Sequence, residues 1–180
     1  MALAFGFLLQ ACGSVEQPAS LRFVAAVEID IRGPADRADL LSMLRRHAAA
    51  GGLHVDDVSE AAVRGDATLP RSLRKTIYVG VWRGAEDDDL EVSVDDMGHQ
   101  GRPWVAFSHG ARPDLATPLR EALLRDIGRR WPGARRIPVL PSGGLPLPDD
   151  LRPAPGGYRI ARSAARNYGL EARSPLVDPR

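Results

Sequence analysis

Residues 22–32, RFVAAVEIDIR, alternate strictly: Phe23, Ala25, Val27, Ile29 and Ile31 fall on one side, Arg22, Glu28, Asp30 and Arg32 on the other. A period of two over this length predicts a strand with one buried face. Gly33-Pro34 stops it and opens a helix, because proline is accommodated in the first helical turn. In that helix Leu40, Leu41, Met43, Leu44, His47 and Ala48 recur at helical spacing, and Gly51-Gly52 closes it. LHVDDV (53–58) has the composition of a short strand, and residues 61–74 carry no period and predict an irregular connection. TIYVGVW (76–82), LEVSVDD (90–96) and PWVAFSH (103–109) predict three strands joined by Gly- and Asp-rich loops of hairpin length. A second helix is expected to start at Thr117-Pro118, with Leu119, Leu123, Leu124, Ile127 and Trp131 on its apolar side; RIPVL after it predicts a last strand.

The order β-α-β-β-β-α-β predicts an α+β fold, an antiparallel sheet with two amphipathic helices on one face. The arrangement is similar to a ferredoxin-like fold with an added strand. From Pro141 to Arg180 proline and glycine become frequent, which argues against long regular elements. Leu145, Leu147, Leu151, Tyr158, Ile160 and Tyr168 give this tail enough apolar surface to wrap the domain. The expected organisation is an N-terminal segment over 1–20, an α+β domain over 21–140 and a wrapping tail over 141–180.

The first eleven residues, MALAFGFLLQA, carry no charge, and the first ionisable acid or base after them is Glu16. An apolar run of about 7–15 residues followed by small residues is the pattern of a secretory signal. Leu9-Gln10-Ala11-Cys12 resembles the lipobox of bacterial lipoproteins. The resemblance covers only these residues and implies that residues 1–11 are removed and that Cys12 receives a diacylglyceryl group. It also implies a membrane anchor facing the periplasm, with Gly13 favouring the outer membrane in a two-membrane cell. GSVEQPAS (13–20) is small and polar, suited to a tether. No Lys or Arg precedes the apolar run, so basic residues are expected upstream of Met1 in the natural precursor. The competing expectation is a cytosolic domain in which this apolar stretch is buried and Cys12 is a core thiol.

Composition narrows the rest. One cysteine among 180 residues excludes an intrachain disulfide. No apolar run reaches the roughly 20 residues of a membrane-spanning helix. A net charge of +1 gives no global pull towards nucleic acid, and scattered aromatics do not form a stacking platform for single strands. The cations are almost all arginine, with Lys75 the only lysine. They gather late, and Arg125 and Arg129 on the second helix are the expected contact face for an envelope protein or polymer.

Chemistry-bearing residues are few. His99 lies between two glycines in DDMGHQG, next to Asp95 and Asp96, the composition of a proton-transfer or metal site. His109 follows Ser108, but neighbours on a strand point to opposite faces and cannot act on each other. The seven acids of residues 86–96 lack the central Gly and final Glu of a calcium loop. No phosphate loop, nucleophile elbow or cofactor fingerprint is present. The expected function is a lipid-anchored envelope protein, a non-enzymatic binding or structural module without a cofactor. The alternative is a periplasmic hydrolase or metal-dependent enzyme using His99 or His109 with Asp95 or Asp96.

Overall fold

Val79, Val94, Val105 and Val27 lie side by side across four neighbouring strands, and Val81, Val92, Phe107 and Ala25 form the row beside them. β-branched and aromatic side chains in register bury well on a pleated surface, and these two rows make the sheet's first core face. The computed structural model describes residues 22–70, 74–84, 89–96, 99, 101–109 and 112–180. Cys12, with the expected signal and tether, lies outside the described residues.

In chain order the elements are β1 (Phe23–Glu28), α1 (Pro34–Ala50), β2 (His54–Asp57), α2 (Ser59–Gly65), β3 (Tyr78–Trp82), β4 (Leu90–Asp95), β5 (Trp104–Ser108), α3 (Pro113–Arg130), β6 (Arg135–Ile137), β7 (Leu151–Ala154) and β8 (Gly157–Ile160). The strands form one sheet of order β2-β3-β4-β5-β1-β6-β8-β7. All neighbours are antiparallel except β6 and β8. The antiparallel α+β class predicted from the alternation is therefore present, with more elements than expected. Two crossovers organise it: α1 carries the chain from β1 over three strands to the far edge, and α3 carries it from β5 over β1 to β6. Leu40, Met43 and Leu44 of α1 and Leu123, Ile127 and Trp131 at α3 pack on the valine rows.

Among the described residues there are three α-helices rather than two. The stretch read as an irregular connection begins with α2, only seven residues long and without an apolar stripe. α3 starts five residues earlier than the Thr117 cap implies: Pro113 takes the first-turn position, and Pro118 is carried inside the helix. In β1, a register irregularity between Phe23 and Ala25 turns Phe23 to the second face, against the strict alternation of the sequence.

That second face is not solvated along its whole width. Ile160, Leu151, Ala161 and Ala164 from the last forty residues bury Ala26, Ala106 and Ile137 in a second cluster. Main-chain bonds hold this segment to the sheet: the Phe23 amide donates to Gly143 O at 2.8 Å, and the Ile160 amide to Leu176 O at 2.8 Å. No described helix is long and apolar enough to cross a membrane.

Candidate functional site

One row of cross-strand partners differs from the apolar rows around it. Tyr78, Asp95, Trp104, Glu28 and Arg135 follow one another across β3, β4, β5, β1 and β6. They share the sheet's second face, at the end where β1 gives way to α1 and α3 returns to β6. Tyr78 is exposed and Asp95 and Trp104 half-buried, while Glu28 is only 5% exposed. The row thus descends from open surface to a buried carboxylate.

Glu28 is satisfied at both oxygens. Tyr158 OH, reaching over from β8, donates to Oε1 at 2.7 Å, and Trp104 Nε1 donates to Oε2 at 3.3 Å. A buried carboxylate needs this compensation, because leaving it unpaired costs several kcal/mol. The Arg102 guanidinium lies 3.6 Å from Oε1 and remains 46% exposed. On the other side Arg135 Nη1 donates to the Tyr158 hydroxyl at 3.1 Å, with its guanidinium near that ring. Burial and the bond to Glu28 push the Tyr158 phenol above its ordinary range, against the pull of Arg135.

Two cavities flank this row and share Arg102. The larger, about 590 Å³, is bounded by Glu28, Arg32, Arg102, Arg130, Trp131 and Arg135, with Asp30 and Asp36 at its side. Not all of these cations have spare donors. Arg130 is clamped by Asp36 at 2.5 Å and Asp39 at 2.9 Å, and Arg32 pairs with Asp30 at 3.0 Å. The Arg32 amide, then Arg130, holds the Asp36 carboxyl below its usual range. Among the described residues Arg102 and Arg135 keep most of their N–H groups free of partners. The indole N–H of Trp131, a residue 6% exposed, is buried without a hydrogen-bond partner among the described residues.

The smaller cavity, about 140 Å³, brings Asp95, Asp96 and His99 together with Trp104 and the segment Leu145–Pro148. The Asp96 carboxylate is already engaged, accepting from the amides of Thr76, Ile77 and Gly101 at 2.7, 3.0 and 3.3 Å and from the Thr76 hydroxyl. It fixes the start of β3 and the turn before β5. His99 Nδ1 is 3.3 Å from Arg102 Nη2, the contact the structure gives its ring. His109 sits at the opposite end of β5, its amide bound to Arg22 O, so the two histidines belong to different ends of the sheet. Among the described residues no group of His, Cys, Asp and Glu is placed to hold a metal ion.

Arg125 and Arg129 lie on α3 and border neither of these cavities; Arg129, in the last turn, lines a separate depression with Arg46, Asp126 and Arg130. Arg129 pairs with Asp126 at 3.2 Å, while Asp126 also accepts from His47 at 3.0 Å, linking α1 to α3. His47, inside the apolar stripe, is thereby satisfied. The sequence names Arg135 only within the late run of arginines and Tyr158 only as an apolar tail residue, and it does not single out Glu28, Arg102 or Trp104 as site residues. The one local hint is an acid in the middle of an otherwise apolar strand, and it is masked by fitting the polar side of the alternation.

No family model, curated protein or solved structure matches this chain.

Proposed function

We propose that this chain is a bacterial envelope lipoprotein, anchored through Cys12 and facing the periplasm, whose domain is a binding module. The observation that carries the binding part is the row Tyr78–Asp95–Trp104–Glu28–Arg135, flanked by two cavities that share Arg102. Binding sites place a few fixed polar groups among aromatic and apolar walls, and this row has that make-up. Binding is favoured over catalysis because the Asp96 carboxylate is committed to backbone amides and the Glu28 carboxylate to Tyr158 and Trp104. The fold is read as a ferredoxin-like arrangement extended by added strands; its two helical crossovers around β1 support that reading. The membrane part rests on Leu9-Gln10-Ala11-Cys12 and on the small, polar composition of residues 13–20 that follow.

Expression of the full chain in a bacterial host, beside Cys12→Ser, tests the anchor. The expected result is a membrane-fraction protein beginning at Cys12 with a lipid-sized mass increment, lost in the variant. An unmodified, soluble N-terminus in both would overturn it. A second reading, a hydrolase or metal-dependent enzyme, is favoured by the cavity that gathers Asp95, Asp96 and His99. Zinc or another divalent ion retained at one per chain and lost in His99→Ala would decide for it.

A further inference from the structure

We infer that the cleft around Arg102 and Arg135 binds an acidic sugar, its carboxylate or phosphate shared between the two guanidiniums and its ring reaching past Arg102 towards Trp104. This deepens the binding-module reading and rests on it.

Three contacts, of 3.6, 2.7 and 3.1 Å, chain Arg102 to Glu28, Glu28 to Tyr158 and Tyr158 to Arg135. The buried Glu28–Tyr158 pair therefore acts as a post that holds two arginines on either side of it. Glu28 cannot neutralise both: Arg135 meets the tyrosine hydroxyl, not the carboxylate. Guanidiniums with spare N–H forks suit a planar carboxylate or a phosphate better than an ammonium would.

The remaining groups argue for a sugar rather than a bare ion. Trp104 presents aromatic surface in the smaller cavity, which meets the cleft at Arg102, and Asp30 and Asp36 at the cleft's side keep acceptor lone pairs for hydroxyls beyond those taken by Arg32 and Arg130. A cavity of about 590 Å³ falls in the ordinary range for small-ligand sites, roughly 300–1,000 Å³, far more than a single phosphate fills.

The test is titration of the full chain in detergent, read by tryptophan fluorescence and calorimetry. The probes are trigalacturonate, glucose 1-phosphate, neutral maltotriose and inorganic phosphate. The expected result is saturable binding of an acidic sugar, with maltotriose and inorganic phosphate at least about tenfold weaker. Trigalacturonate and glucose 1-phosphate distinguish the carboxylate source from the phosphate source. Arg135→Gln, at an exposed position, should lower that affinity about tenfold with an unchanged melting temperature, and Arg102→Gln should do the same. If Arg102→Gln fails to fold because Glu28 loses its cation, Arg135→Gln carries the test alone. Equal binding of maltotriose, inorganic phosphate as tight as glucose 1-phosphate, or undiminished affinity in Arg135→Gln would overturn the inference. Loss of sugar binding in a chain that is lipidated at Cys12 would remove the ligand and leave the anchored module. Sugar binding by an unlipidated chain would remove the anchor and keep the ligand.

Discussion

Tyr158 and Glu28 are 130 positions apart in the chain, and their side chains meet at 2.7 Å across the intervening strand β6. The contact ties the C-terminal hairpin to the central strand at the one point where that strand buries a charge. Hydrogen bonds to charged groups contribute about 1.5–3 kcal/mol. Tyr158→Phe is therefore expected to lower unfolding free energy by about that amount while the ring still packs. Urea denaturation compares the two proteins. Glu28→Gln combined with Tyr158→Phe should cost less than the sum of the single changes, because the partners share one contact. Additive effects would show that the bond contributes little.

A second close approach concerns β6 and β8. A Cβ placed on Gly157 would stand 2.3 Å from Arg136 O and 2.8 Å from Arg136 N, main-chain atoms that cannot move aside. Gly157→Ala is expected to destabilise by about 1–3 kcal/mol or more, as overpacking does, by prising the C-terminal hairpin off the sheet. Gly128 makes the contrast: it lies inside α3 with open space around its Cα. Gly128→Ala should stabilise by about 0.5–1 kcal/mol through helix propensity and a less flexible unfolded chain. Melting temperatures moving in opposite directions check both.

The two glycines also show what the sequence makes legible and what it hides. Period-two alternation placed Val27 and Ile29 on the helical face, and helical spacing placed Leu40, Met43 and Leu44 opposite them, because both patterns are local. Glu28 obeyed the same alternation and so read as solvent-facing. Its burial is compensated by Tyr158 and Trp104, which no local period connects to it. β7 and β8 were concealed by the composition that makes them possible. Pro153 is tolerated because β7 is an edge strand, and Gly157 is required by contact with Arg136. For the site, Asp95, Asp96 and His99 were adjacent in sequence and visible, whereas Arg102, Arg135 and Tyr158 converge only through the topology.

Acid should weaken the β2–α2 corner. Burial pushes the Asp57 carboxyl up, but the Ser59 hydroxyl and amide, at 2.5 and 3.1 Å, together with Arg37 outweigh it and hold the group below its ordinary range. A carboxyl depressed in the folded state contributes stability that is complete above its unfolded pKa, about 3.9. That stability is lost as pH falls through the lower folded value. Asp57→Asn should therefore cost no more than about 1 kcal/mol at pH 7, and its deficit against the natural chain should shrink below about pH 4. Urea midpoints measured from pH 7 down to pH 2.5 for both proteins follow it; a constant deficit would rule out the charged form as its source.

The last forty residues should be indispensable to the fold. Ile160 is fully buried and Leu151 8% exposed, both in the cluster that covers Ala26, Ala106 and Ile137. Burying a side chain of this kind contributes about 1.5–3 kcal/mol, so these two alone supply roughly 3–6 kcal/mol of a total that is ordinarily 5–15 kcal/mol. Truncation after Leu140 also strips Glu28 of Tyr158 and leaves a buried carboxylate beside newly exposed apolar surface. The truncated chain is expected to lose cooperative unfolding and to bind a hydrophobic dye. The intact chain should resist proteolysis between Pro141 and Gly157 despite its proline and glycine, since the amides of Phe23, Ala161 and Arg136 pin that segment by bonds to Gly143, Asp150 and Gly156 O. Rapid cleavage there without loss of the remaining fold would show that the sheet's second face does not depend on the tail.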